Sequence, residues 1–348
     1  MTFSRELRRF GARVLAPVAL AAALLVACGG GTEQVVAFKP DRLIVLGDES
    51  SMIEDFVDAG GKHDGFKYGI NDRSATVTGK CLALPTAAQS VAALYGFAFA
   101  QCNPTSITPQ AVILAQRHAT VGDTTTGLAQ QLSNAPNLGK TDLVMMLIGA
   151  NDIIELYERT LAGLSAADAL AEAQRRGAVA ADQINAVLAT GARALVITVP
   201  DLGLSPYAVN ANKRKAGASG LLGSLTYEFN AYLRTRIDST RFDGRNYGLV
   251  LADDIVAAMS KVPASFLVAP AVPDVAACQI ADGLSADAVA SAALLCNTTA
   301  TANSATEVKL VDGAGAGSHL WASDRHIGPS AQSRIGAQAQ SRAATNPF

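Results

Sequence analysis

The chain carries little charge, and what it carries nearly cancels. Charged residues are 17% of its 348 residues, and the formal net charge is −2. Electrostatic capture of nucleic acid needs a basic face, so a nucleic-acid partner is excluded. Hydrophobic residues make up 49%, which argues against intrinsic disorder. Four histidines and five cysteines are present, but no Cys-x-x-Cys or His-x-x-x-His spacing, and a metal site is not expected. No internal repeat is evident. The apolar run over residues 14–27 is too short to span a membrane comfortably.

That run reads instead as the core of an export signal. Arg5, Arg8, Arg9 and Arg13 precede it as a positive region. It ends in Leu25-Val26-Ala27-Cys28-Gly29, which resembles the lipobox of bacterial lipoproteins. The resemblance implies a signal peptide over 1–27 and a lipid on the Cys28 thiol, anchoring the protein to the cell envelope. A periplasmic or secreted protein is the alternative. Residues 28–40 read as a tether. Export leaves Cys81, Cys102, Cys278 and Cys296 in an oxidising compartment, where an even number favours disulfides. Three pairings are possible. Cys81–Cys102 and Cys278–Cys296 are favoured, because each pair sits in one loop-rich segment.

From residue 41 onward, apolar runs alternate with helical patterns. Leu43-Ile44-Val45-Leu46, Ala111-Val112-Ile113-Leu114, the run over 142–148, the run over 194–199 and that over 247–251 read as buried strands. Helices are expected from Met52, over 86–99, around Leu128, over 166–188 with Gly191 as its cap, over 221–237 and over 330–344. This is an α/β pattern of βαβ units, with a parallel sheet covered on both faces. Residues 41–348 form one domain, with long loops at 58–102 and 263–318, where a lid would lie.

Polar clusters follow two of the strands: Gly47-Asp48-Glu49-Ser50 and Gly149-Ala150-Asn151-Asp152. A third, Ser323-Asp324-Arg325-His326, comes late in the chain. The carboxyl ends of parallel strands share one edge, so the first two should be neighbours. A hydroxyl, an amide, an imidazole and an acid are the parts that acyl transfer needs.

With these blocks the chain resembles the SGNH/GDSL hydrolases, serine esterases and lipases. Gly149-Ala150-Asn151-Asp152 carries the likeness most clearly. Val199-Pro200-Asp201-Leu202-Gly203, Phe229-Asn230 and the block from Trp321 to Gly328 add to it. The resemblance implies a three-layer α/β/α, flavodoxin-like fold with a five-stranded parallel sheet. It implies an ester substrate, lipid or acylated glycan, and no cofactor. Ser50 would be the nucleophile, His326 the base and Asp324 its partner. Gly122 and Asn151 would supply the oxyanion donors. A carbohydrate O-deacetylase, or an inactive protein binding an envelope glycan or lipid, stays open. Three departures bear on that choice. Glu49 intervenes where the family reads Gly-Asp-Ser, so Glu49 takes the nucleophile position unless a one-residue bulge presents Ser50. Ser323 stands where the family has its acid. In another register of the second block, His118 rather than Gly122 falls at the donor position.

Overall fold

The computed structural model describes residues 38–74, 79–242, 246–281, 284–300 and 307–345. The expected signal peptide, Cys28 and most of the tether lie outside these. The strands are β1 (Arg42–Gly47), β2 (Ile53–Glu54), β3 (Phe66–Lys67), β4 (Ala111–Ile113), β5 (Asp142–Leu147), β6 (Arg193–Ile197), β7 (Tyr247–Val250), β8 (Val272–Ala276) and β9 (His319–Trp321). Five of them form one sheet in the order β4-β1-β5-β6-β7, every pair parallel. Counting only the strands of this sheet, the order is 2-1-3-4-5, the flavodoxin-like winding. Its switch point falls between β1 and β5, where Gly47 stands opposite Leu147.

Both faces are covered because the central strands are apolar on both sides. Leu43 through Leu46 and Leu143 through Met146 are all buried. Helices Ala150–Leu161, Ala166–Ala189 and Ala218–Arg236 pack together as one layer. Helices Ala87–Leu94, Ala252–Lys261 and Pro329–Thr345 form the other. The fold is thus three-layer α/β/α. Small residues let the first layer close up: a Cβ on Gly177 would lie 2.2 Å from the Phe229 carbonyl oxygen.

Three local expectations need correction. No helix starts at Met52: a 3₁₀ turn over Glu49–Ser51 is followed directly by β2. Asp48 caps that turn, and Met52 is already extended. The helix expected over 86–99 stops at Leu94, and Gly96 turns the chain with φ +72. The excursion over 263–318 is not wholly irregular. It holds β8, which pairs in parallel with β9, and a helix over Ala286–Leu294. Disulfides join Cys81 to Cys102 and Cys278 to Cys296, as the loop positions suggested. They place the chain in an oxidising compartment. No helix of the described residues is long and apolar enough to cross a membrane.

Candidate active site

The site is built where β1 and β5 end. Gly47 has φ +132, and a Cβ there would fall 1.8 Å from the Leu147 carbonyl oxygen. Only glycine lets the two strand ends approach so closely. Gln131 then clamps Gly47 from the side: its Oε1 accepts from Gly47 N–H at 2.7 Å, and its Nε2 donates to Gly47 O at 2.8 Å. The chain turns at Asp48, whose Oδ1 accepts from Ser50 N–H at 3.0 Å. This cap fixes the next residue, Glu49, facing the crevice.

Glu49 is 3% exposed and is the centre of the constellation. Its Oε2 accepts from the Asn151 amide at 2.9 Å and from the His118 backbone N–H at 2.9 Å. Its Oε1 lies 3.5 Å from His326 Nε2. That contact is an ion-pair distance without hydrogen-bond geometry, and His326 Nε2 has no hydrogen-bond partner. On the other side of the ring, His326 Nδ1 meets Ser323 Oγ at 2.8 Å. Both His326 and Ser323 are buried. The result is a row of hydroxyl, imidazole and carboxylate, with two further donors on the carboxylate.

Supporting contacts hold these groups still. Gly149 has φ +127 and opens the helix that carries Asn151 in its first turn. Asp152, fully buried, accepts from Val121 N–H at 3.0 Å and from Arg176 at 3.0 Å. It thereby ties the loop bearing His118 to the Asn151 helix. His118 itself has φ +57, a conformation that favours glycine. The Tyr68 ring lies 5.6 Å from His326, and Arg117 donates to Tyr68 Oη at 2.6 Å. The two long segments meet close by. Asn71 N–H donates to Cys296 O at 2.9 Å, and Asp287 reaches His118 Nε2 at 2.8 Å.

Burial drives Asp48 up to about 8, and the neighbouring Glu49 charge adds to the shift. Glu49 goes the other way. Burial alone would raise it, but His326 opposite, together with Asn151, lowers it to about 2. Two adjacent acids in one dry turn are therefore split into a neutral Asp48 and an ionised Glu49. Asp152 is raised to about 6 by burial, against the pull of Arg176.

The sequence-derived assignments fare unequally. Asn151 and His326 converge as expected. Ser50 does not stand against His326. It is half-buried, its N–H is spent on Asp48, and among the described residues no hydrogen bond joins it to His326. The capped 3₁₀ turn, in place of a bulge, is the reason. Asp324 does not orient His326 either. Its carboxylate is held by the Arg325 guanidinium at 3.0 and 3.1 Å, and Ser323 occupies Nδ1. Gly122 is exposed, with nothing within 4 Å of its Cβ direction, and the backbone N–H that reaches Glu49 is that of His118. His63 is exposed and paired with Asp55, while His319 is buried beside Ser318.

No protein-family model matches the chain, and no curated protein does. Among solved structures, one that it resembles is the crystal structure of TesA, at 14% identity and a TM-score of 0.31. The match covers 85% of this chain and 94% of that one. At that level of likeness the chemistry has to be read from the site's own atoms.

Proposed function

We propose that this chain is an exported hydrolase of the SGNH type whose working pair is Glu49 and His326, not serine and histidine. One observation carries the reading: Glu49 Oε2 sits on the Asn151 amide and the His118 N–H. Those are the donors that an ester oxyanion would need. With a carboxylate held there, an ester carbonyl has no seat. The groups flanking His326 have also changed ends. A serine–histidine mechanism wants the hydroxyl at Nε2 and a carboxylate at Nδ1 to stabilise the imidazolium. Here Nδ1 has Ser323 and Nε2 has Glu49.

The test is a fluorophosphonate probe, with p-nitrophenyl esters as substrates. The wild-type protein should neither label nor turn over the esters. The double variant Glu49→Ser, Ser323→Asp should gain labelling at residue 49, and His326→Ala should remove it. Labelling of the wild type at Ser50, lost in His326→Ala, would overturn the reading in favour of a Ser50 esterase acting on a lipid or acylated glycan. Attachment to the envelope through a lipid on Cys28 belongs to the same proposal. It predicts that Cys28→Ser releases the protein from membranes.

A further inference from the structure

Glu49 and His326 are sealed from solvent. Each is 3% exposed, and Tyr68 beside them is 1% exposed, so a substrate reaches the pair only when a covering element moves. The helix Ala286–Leu294 is tied to both members. Its Ser291 hydroxyl accepts from Arg117 Nη1 at 3.4 Å, and Arg117 Nε donates to Tyr68 Oη, whose ring lies 5.6 Å from His326. Its Asp287 carboxylate lies 2.8 Å from His118 Nε2, an ion-pair distance without hydrogen-bond geometry. The His118 backbone N–H in turn donates to Glu49 Oε2 at 2.9 Å. Arg117 and His118, neighbours in one loop, thus link one helix to the histidine and to the carboxylate. We propose that this helix is a lid whose docking shuts the site and positions the His118 N–H on Glu49. This rests on the reading that Glu49 and His326 are the working pair, and it adds how the pair is reached and set.

The helix is lightly held. Among its described side chains only those of Ala290 and Ala293 are buried, and no residue of it belongs to either apolar core. Alanine has little apolar area with which to hold a helix down, and segments with few buried apolar contacts open first. The C-terminal end is the anchored one. Asn71 Nδ2 donates to Leu294 O at 2.9 Å and to Cys296 O at 3.0 Å, and the Cys278–Cys296 disulfide fixes the chain just beyond. Asp287 stands at the opposite end and is exposed. A swing about Leu295 and Cys296 therefore parts Asp287 from His118 and Ser291 from Arg117 while the anchor stays intact. The effect on the pair follows from the His118 backbone. Its φ of +57 is costly for a residue with a Cβ and persists where surrounding contacts enforce it. The Asp287 carboxylate against its ring is one such contact. With the helix away, His118 relaxes, Glu49 Oε2 loses one of its two donors, and Arg117 no longer pins Tyr68 beside His326.

The experiment compares the wild type with the double variant Asp287→Ala, Ser291→Ala, which leaves Glu49, His118 and His326 in place. Diethylpyrocarbonate probes access, with modified histidines mapped by peptide mass spectrometry and the exposed His63 as internal reference. Relative to His63, His326 should be modified slowly in the wild type and about tenfold or more faster in the double variant. Exchange of the His118 amide, followed by NMR, should accelerate in the same variant, while amides of β1 and β5 keep their rates. Asp287→Glu with Ser291→Thr retains both polar groups and should restore the slow rates. Unchanged His118 exchange or unchanged His326 modification in the double variant overturns the proposal. In the wild type alone, the amides of the helix and of His118 should open as one unit, less protected than those of β1 and β5. A His118 amide as protected as those strands overturns the proposal even where the double variant fails to fold. Failure of the parent reading shows separately, as fluorophosphonate labelling of Ser50.

Discussion

Asp48 and Glu49 are neighbours in the chain and are pushed in opposite directions by what surrounds them. Asp48 has one oxygen on Ser50 N–H and the other buried without a partner. Its folded-state value, about 8, lies far above the unfolded one near 4. The folded protein therefore holds a proton that the unfolded chain releases between pH 4 and pH 8. Over that window this group makes stability fall as pH rises, by at most about 1.4 kcal/mol per pH unit. Asp48→Asn keeps the acceptor and removes the titration. Its melting temperature should fall less between pH 5 and pH 8 than that of the wild type, and equal slopes would refute the assignment. Glu49 has the opposite sign. Its contribution is present above the unfolded value and is lost as pH falls toward about 2.

The ends of β1 and β5 are fixed by glycine. Gly47→Ala puts a methyl carbon on the Leu147 carbonyl, and it also demands a backbone conformation hostile to side chains. The Asp48 N–H to Leu147 O bond, 3.1 Å long, would have to break or shift. A loss of about 3 kcal/mol or more is expected in denaturant unfolding. Gly122→Ala is the control. It meets nothing within 4 Å and should change stability by less than about 0.5 kcal/mol. Equal effects would mean that the crevice does not depend on the close approach at Gly47. At this scale the sequence was readable wherever burial was simple: all five strands of the main sheet were visible as apolar runs. It was not readable where a cap decided the path. Asp48 as a cap turns Glu49–Ser51 into a 3₁₀ turn, and no periodicity signals that.

The two disulfides staple the long segments that close over the site. Replacing Cys278 and Cys296 together by serine removes a crosslink spanning 18 residues. A loss of about 2–4 kcal/mol is expected, measurable by thermal unfolding with and without reductant. An unchanged midpoint would mean that the bond constrains little. The sequence by itself determined the fold class and the meeting of two strand ends, because apolar periodicity is local. It also named Asn151 and His326, and marked Glu49 and Ser323 as misfits. Only the tertiary structure decided where the misfits lie and what they touch. Whether a side chain faces a crevice depends on one turn's geometry, and in the folded chain His326 meets Ser323 while the Arg325 guanidinium holds Asp324. Those choices are made by contacts between residues far apart in the chain, as between Glu49, His118, Asn151 and His326, and no local pattern encodes them.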